Sequence, residues 1–249
     1  MNEIVKTNTN DIAGLDAETM ALIAQAAQDQ GEAEVSTIPF MSVKGKKFTL
    51  GEEKLGNILN VVVLADVFDH SYYDRPYDPD TISPPACFAI NVSSNNLVPD
   101  ASSPVVQAAS CDECPMNEFG SSNNGKGKAC RNGRRLLIAA VTDGIPDLVN
   151  LAIINLAPTS LKAYARYSKG LATVKKLPIW AVVTTLSFDD DSTWPQIVPT
   201  FSNTIDGNYI NAIAPRLSEF ADTIAIPYDT SGYIAPEEVT TSSKKSKMS

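Results

Sequence analysis

The feature that most constrains this chain is its set of four cysteines, spaced C-x23-C-x2-C-x15-C at Cys87, Cys111, Cys114 and Cys130. A Cys-x-x-Cys pair forms a natural bidentate turn around a tetrahedral metal ion, and two further cysteines can complete a site of four thiolates. The N-terminus lacks the pattern of a signal peptide, so we expect a reducing compartment, where two disulfides do not persist. The spacing predicts a structural Zn²⁺ held by all four cysteines. Unrelated buried thiols and a redox motif are the alternatives.

The segment between Cys87 and Cys130 contains few large apolar residues, mainly Phe88, Ile90, Leu97, Met116 and Phe119. Their burial is too small to offset the conformational entropy lost when such a segment becomes ordered. Metal binding can supply that free energy, so we expect this insertion to fold only with metal bound. Four thiolates also leave no open position for a water nucleophile, which predicts a structural and not a catalytic ion.

The charges of the chain are segregated. The protein carries 29 acidic and 20 basic residues among 249, a net charge of −9. Two windows, residues 120–135 and 159–178, nevertheless hold ten basic residues and no acidic one. Such windows predict a local electrostatic footprint for a polyanion on an acidic protein. The alternative is that they are ordinary solvated surface.

Candidate polyanion contacts come from these windows and from a third, shorter basic stretch. A helix with Thr159 or Ser160 as its N-cap and ending at Gly170 would place basic residues at i, i+4 and i+7 on one face, with Leu161, Tyr164 and Ala165 toward the other. Single strands also need aromatic platforms on which bases stack. The predicted basic contacts are Lys44, Lys46, Lys47, Lys126, Lys128, Arg131, Arg134, Arg135, Lys162, Arg166 and Lys169, and the predicted aromatic contacts are Phe48, Tyr72, Tyr73 and Tyr77.

Catalysis is not expected. The only histidine, His70, fits a surface residue better than a base, and the run from Asp189 to Asp191 fits a solvated turn. The chain contains no P-loop, no nucleophile elbow and no zinc-protease motif. No apolar run approaches 18 residues, so we expect a cytoplasmic protein without a membrane span.

The order of segments predicts a mainly β (α+β) fold. Residues 1–37 would form an appendage, with a helix from Asp16 to about Gln30 and a linker. Residues 38–235 would form an OB-like barrel with a few flanking helices and a long zinc-binding insertion at about 69–135. Residues 236–249 are predicted to be a disordered tail. A sandwich or another α+β arrangement remains open.

Several segments together resemble a group of bacteriophage early-region proteins. They are FMSVKGKKFTL, VVVLADVFDHSYYDRPYDPDTISPPACFAI, the CxxCPxNxFGS and GKGKAC cluster with NGRRLL, LAPTSLKAYARYSKGL and PIWAVVTTLSF, covering about residues 38 to 190. The resemblance implies single-stranded DNA binding, an OB-like core, zinc at the four cysteines and DNA contacts by neighbouring basic and aromatic residues. The chain departs from phage single-strand binders in ending KKSKMS where they often carry an acidic tail that recruits partners.

We therefore expect a non-enzymatic single-stranded DNA-binding protein that acts in phage DNA replication or recombination. Its partners would be single-stranded DNA and phage replication or recombination proteins, in the cytoplasm of the host cell. The alternative is a zinc-containing transcription or host-takeover factor that binds a protein partner. A virion structural protein is a third possibility.

Overall fold

The computed structural model describes residues 38–76, 78 and 80–236. The predicted helix from Asp16 to Gln30, the predicted stacking residue Tyr77, and residues 237–249 of the predicted tail lie outside the described residues. The described part falls almost entirely in the unit of the chain that begins at Pro39.

The described residues are mainly β, with helices added between and after the strands. The strands are β1 (Phe40–Met41), β2 (Phe48–Leu50), β3 (Glu53–Gly56), β4 (Leu59–Tyr72), β5 (Cys87–Asn91), β6 (Cys130–Thr142), β7 (Ile145–Leu156), β8 (Val182–Phe188) and β9 (Ile197–Thr204). The helices are α1 (Pro158–Gly170), α2 (Gly207–Ile213) and α3 (Leu217–Ile224). A single π-helical turn, Leu171–Lys175, continues from α1, and a 3-10 turn containing Pro215 separates α2 from α3.

Seven strands form one open, mixed sheet in the order β1-β7-β6-β4-β8-β9, with β5 also paired to β4. The β1–β7 pair is parallel and the remaining pairs are antiparallel, while β2 and β3 form a separate hairpin. Within the described residues, β1 pairs only with β7 and β9 only with β8, so the sheet does not close. The mainly β (α+β) prediction is confirmed; the sheet is not a closed barrel, and the predicted OB-like barrel with its zinc-binding insertion is not confirmed.

The hairpin between β6 and β7 follows from the sequence TDGI. Asp143 and Gly144 form a two-residue connection, and both have positive φ, 52° and 80°. Asp-Gly is a favoured pair in such turns because Asp tolerates the left-handed region and Gly enters it at no steric cost. These two residues therefore account locally for the tight turn between β6 and β7.

Strand β4 pairs with different strands along its two edges. It pairs with β6 along most of its length. Its other edge pairs with β8 near Leu59 and with β5 from Phe68 to Tyr72. The last residues of β4 consequently lie between β5 and β6, the two strands that begin with cysteines.

Helix α1 packs on the main hydrophobic core. Tyr164 of α1 is buried there together with Val63 of β4 and Leu136 of β6. The helix begins at Pro158 with Ala157 as its N-cap, and the hydroxyl of Ser160 instead accepts a hydrogen bond from the Ile197 N–H at 2.9 Å. The N-cap therefore differs from the predicted Thr159 or Ser160, whereas the predicted end of the helix at Gly170 is correct.

The second face of the sheet is covered by α3 and the segment after it. Phe220 and Ile224 of α3 are buried, and α3 packs on β4 and β6. No helix in the described part of the chain is both long and apolar enough to cross a membrane.

Candidate metal centre and anion-binding surface

The register of three strands brings two of the cysteines to one face of the sheet. Tyr72 of β4 pairs with Cys87 of β5 on one side and with Cys130 of β6 on the other. Residues paired directly across strands point to the same face, so both thiols lie on the face of Tyr72. His70, two residues earlier in β4, shares that face because side chains alternate along a strand.

The long connection between β5 and β6 carries the other two cysteines over this face. The Cys111 N–H donates to the Leu97 carbonyl at 2.9 Å, and the Asn117 N–H donates to the Cys114 carbonyl at 2.9 Å. The Asn117 side-chain amide also donates to the Cys111 carbonyl at 2.7 Å. These bonds form the Cys-x-x-Cys segment and the following 3-10 turn, Pro115–Asn117, into one compact unit.

All four cysteines line a single cavity of about 20 Å³, together with His70 and Tyr72. Each cysteine is buried, with 7–8% of its surface exposed, and none forms a disulfide. A cavity of this size holds about one water-sized particle. The fold thus places the four cysteines around one small cavity.

The environment of the thiols is apolar and crowded. Burial, with the nearby cysteines as a smaller cause, raises the pKa of Cys111 to about 11 and that of Cys130 to about 12. Burial also raises the pKa of Cys87, opposed by hydrogen bonds from the Gln107 backbone and the Ser103 side chain. The raised pKa values favour the protonated thiols. A divalent cation bound by the thiols would favour the thiolates instead, because coordination deprotonates a thiol.

The donor set fits Zn²⁺, but the side chains as they stand do not form a closed site. Four thiols are the soft ligands that structural zinc prefers. Within residues 38–76, 78 and 80–236, however, no three histidine, cysteine or carboxylate groups are arranged to hold a metal ion. The strand register gives a physical reason: Cys87 and Cys130 lie on either side of β4, two strand spacings of about 4.8 Å apart.

His70 was assigned to the surface from the sequence, and the structure corrects this. The side chain lines the cysteine cavity, and its Nδ1 is buried without a hydrogen-bond partner among the described residues. Burial lowers its pKa, and the nearby Lys128 lowers it further. The signal in the sequence was the two-residue spacing from Tyr72, which becomes informative only once β5 and β6 are known to flank β4.

Phe48 is a core residue and not a stacking platform. Its side chain is 0% exposed and stacks on Phe188 with 4.7 Å between ring centroids. A base could reach the ring only after the core opened. The prediction that Phe48 contacts DNA is wrong for this conformation.

Arg135 is likewise buried, with 3% of its surface exposed. Its Nε donates to Asp69 Oδ2 at 3.1 Å, and its Nη1 donates to the Ile226 carbonyl at 2.6 Å. The Tyr228 hydroxyl donates to the same carboxylate at 2.8 Å. Arg135 therefore attaches the segment after α3 to the sheet, and the prediction of a phosphate contact is wrong.

Arg134 is engaged as well. It forms an ion pair with Asp66, and its guanidinium lies 3.9 Å from the centroid of the Phe68 ring. The Lys46 ammonium donates to the Asp189 carbonyl at 2.7 Å, and the Lys128 ammonium donates to Asn117 Oδ1 at 3.0 Å. These cations are partly buried and less available to a ligand than the sequence implied.

The remaining predicted contacts are on the surface. The exposed residues are Lys44, Lys47, Lys126, Arg131, Lys162, Arg166, Lys169 and Tyr73. The basic face of α1 is therefore solvent-exposed as predicted, although Ala165, expected on the core side, is also exposed. Tyr72 is half-buried and lines the cysteine cavity.

Phe119 is an exposed aromatic residue that was expected only as one of the few large apolar residues of the insertion. It is 83% exposed, and the Lys128 ammonium lies 5.3 Å from its ring centroid. The signal for it was an aromatic residue flanked by Glu118 and Gly120 in a segment too polar to bury it. It joins Tyr73 as a candidate stacking residue.

No family model matches the chain, and neither a curated protein nor a solved structure matches it. The resemblance to the phage early-region proteins remains a prediction that depends on the segments quoted above.

Proposed function

We propose that the protein binds single-stranded DNA, without catalysing a reaction, in phage DNA replication or recombination, and that its four cysteines hold a structural Zn²⁺. One observation carries the binding proposal. Of the ten cations in the two basic windows, only Arg134 and Arg135 form ion pairs with carboxylates among the described residues.

Exposed cations commonly lack carboxylate partners, because surface ion pairs contribute little stability, so the informative feature of these cations is that they are clustered. Acidic side chains are abundant enough to pair with every lysine and arginine, yet both windows exclude them. Clustered cations without partners repel one another, and a polyanion relieves that repulsion while releasing its own counterions. The exposed face of α1, with Lys162, Arg166 and Lys169, is the most regular of these clusters.

Preference for a single strand requires aromatic surfaces, since unpaired bases stack on them and duplex bases do not. Tyr73 is 45% exposed, and Arg131 is close enough to affect its ionisation. Phe119 and Lys128 form a second aromatic and basic pair. Each pair combines a stacking face with a cation that can contact a phosphate.

The zinc proposal is supported by the small amount of apolar surface that the insertion, the connection between β5 and β6, buries. Its own cluster consists of Ala89, Leu97 and Cys111, with Phe68 of β4 packed against them. This is a small apolar core for a connection of nearly forty residues. When bound, the ion would cross-link the first residues of β5 and β6 to the Cys-x-x-Cys turn.

The experiment is a comparison of oligo-dT, the corresponding duplex and polyglutamate as ligands of the zinc-loaded protein. We expect oligo-dT to bind more tightly than duplex, and polyglutamate not to bind. Arg131→Gln should weaken oligo-dT binding, whereas Arg216→Gln, which removes the same charge outside both windows, should not. Equal loss in both variants would indicate a nonspecific charge effect and contradict the proposed surface.

A second candidate function has its own supporting observation. The insertion exposes several large apolar side chains, among them Val98 (55%), Val106 (54%) and Phe119 (83%). Large exposed apolar side chains are found at protein interaction sites. They favour the zinc-containing transcription or host-takeover factor, in which the insertion would bind a protein partner. Failure to bind oligo-dT with the insertion intact would favour this candidate.

A further inference from the structure

A second cavity, of about 420 Å³, lies beside the last residues of β4 and the first residues of β6. Its lining includes Tyr73, Arg75, Thr81, Ser83 and Arg131. Small-molecule and cofactor sites measure about 300–1,000 Å³. The cavity is therefore large enough for one nucleotide unit, whereas the cysteine cavity is not.

Two guanidinium groups face this cavity, and one of them has an unused donor. Arg75 donates through Nη2 to the Ile234 carbonyl, which fixes the position of its side chain. Its Nε is buried, and no described residue accepts a hydrogen bond from it. A shielded N–H on a charged group without an acceptor is rare in folded proteins, and this one could reach a ligand in the cavity only if the Arg75 side chain shifted. Arg131 is exposed and forms no ion pair with any described residue.

The other lining groups are suited to the rest of a nucleotide. Tyr73 supplies an exposed aromatic ring on which a base can stack. The side chains of Thr81 and Ser83 supply hydroxyl groups that can bond to a base edge or a sugar. A carboxylate ligand such as an acidic peptide would use the two arginines but not the aromatic surface.

We propose that this cavity binds one nucleoside monophosphate unit, with the base against Tyr73 and the phosphate between Arg75 and Arg131. The inference rests on the proposed function for the source of the unit, a single strand of DNA. The unit is either a nucleotide within the strand or its 5′-phosphorylated end. Asp78 also lines the cavity, and its carboxylate opposes anion binding.

The test is calorimetric titration of the zinc-loaded full-length protein with dTMP, thymidine and inorganic phosphate. We expect dTMP to bind more tightly than either of its parts, since each part uses only half of the site. Arg131→Gln should weaken dTMP binding roughly tenfold to a hundredfold, the loss expected for a hydrogen bond to a charged group. Tyr73→Leu should weaken dTMP binding but leave phosphate binding unchanged.

Two further variants distinguish a loss of dTMP binding from a loss of folding. Arg75→Lys keeps the charge and the tie to residue 234 but lacks the planar fork of arginine, so dTMP binding should fall while the melting temperature holds. Asp78→Asn should act in the opposite direction and tighten dTMP binding, because it removes a negative charge beside the phosphate. Arg216→Gln is the control with no expected effect.

The outcomes separate this inference from the proposed function. If oligo-dT binds in preference to the duplex but dTMP does not bind, the cavity proposal is overturned and the function stands. If dTMP binds and the variants weaken it but oligo-dT does not bind, the cavity is correct and the function is wrong. Tighter binding of 5′-phosphorylated than of 5′-hydroxyl oligo-dT would identify the strand end as the source, and equal binding would identify an internal nucleotide.

Discussion

Arg135 illustrates how a basic residue in a basic window can serve the core. Its partner Asp69 lies 66 positions earlier in the chain, and the two meet because β4 and β6 are neighbours in the sheet. Tyr228 and the Ile226 carbonyl complete the hydrogen bonding of the pair. A buried charge is tolerated when it is paired and fully hydrogen-bonded, and it is costly when one partner is removed.

Removal of the Asp69 charge should therefore destabilise the fold strongly. We expect Asp69→Asn to lower the free energy of unfolding by about 3–5 kcal/mol, since it leaves Arg135 buried without a counterion. Tyr228→Phe removes only one hydrogen bond to the carboxylate and should cost about 1.5–3 kcal/mol. Urea denaturation of both variants measures this order. A smaller loss for Asp69→Asn than for Tyr228→Phe would contradict the assigned role of the pair.

The two aromatic residues Phe48 and Tyr73 should respond to mutation in opposite ways. Phe48→Ala creates a core cavity and should cost about 3–5 kcal/mol of stability. Tyr73→Ala should leave stability nearly unchanged but weaken oligo-dT binding by about 1–3 kcal/mol, the range for loss of one base-stacking residue. Thermal melting and fluorescence anisotropy on the same preparations distinguish the two. Normal oligo-dT affinity in Tyr73→Ala would exclude it as a stacking residue.

The sequence identified cations and aromatics but could not separate the buried from the exposed. The alternation of side chains along β4 shows that Asp69 and His70 point to opposite faces of the sheet. It does not show which segments pack on each face. The cover comes from α3 on one side and from the insertion on the other, and both contacts are distant in sequence. For the same reason Arg131 and Arg135 looked equivalent in the chain, although one is exposed and the other is not.

Among the elements, α1 provides a regular basic face that can be tested as a unit. Lys162, Arg166 and Lys169 are exposed, whereas Tyr164 anchors the helix in the core. Replacing the three cations with glutamine should reduce the slope of log K against log salt by about 2, since each phosphate contact with a single strand contributes about 0.7. Anisotropy titrations with oligo-dT at four salt concentrations measure this slope. An unchanged slope would remove α1 from the DNA-binding surface.

The insertion should depend on metal while the sheet does not. Chelation of zinc, or Cys114→Ser, should lower the melting temperature and expose the connection between β5 and β6 to proteolysis, because its apolar cluster is small. The strands of the sheet should remain protected. Limited proteolysis with mass spectrometry locates the cleavage sites. Identical digestion of zinc-loaded and chelated protein would contradict a metal that stabilises the insertion.

Local chemistry explains which elements were predictable. The Asp143–Gly144 turn and the end of α1 at Gly170 follow from residues within a few positions of each other. The cysteine spacing predicted a common site for the four cysteines, and all four line one cavity, whereas the zinc stays a prediction. The open sheet did not follow, because the parallel pairing of β1 with β7 joins residues more than 100 positions apart. Barrel closure is a property of such distant pairs and leaves no local signature.

For the molecule as a whole, the central feature is a segregated charge distribution on an open sheet. The net charge of −9 would oppose contact with DNA if the cations were evenly spread and paired. Instead most cations of the two basic windows lack carboxylate partners among the described residues. Binding of DNA to the protein should therefore be electrostatic, favour single strands and weaken steeply as the salt concentration rises.

The most direct test is fluorescence anisotropy of a labelled oligo-dT with the zinc-loaded wild-type protein over a salt series, with the duplex as control. We predict tighter binding to the single strand and a slope of log K against log salt between about −3 and −6, as expected if about four to eight cations each neutralise one phosphate. Absence of binding at low salt, or equal affinity for the duplex, would contradict the account.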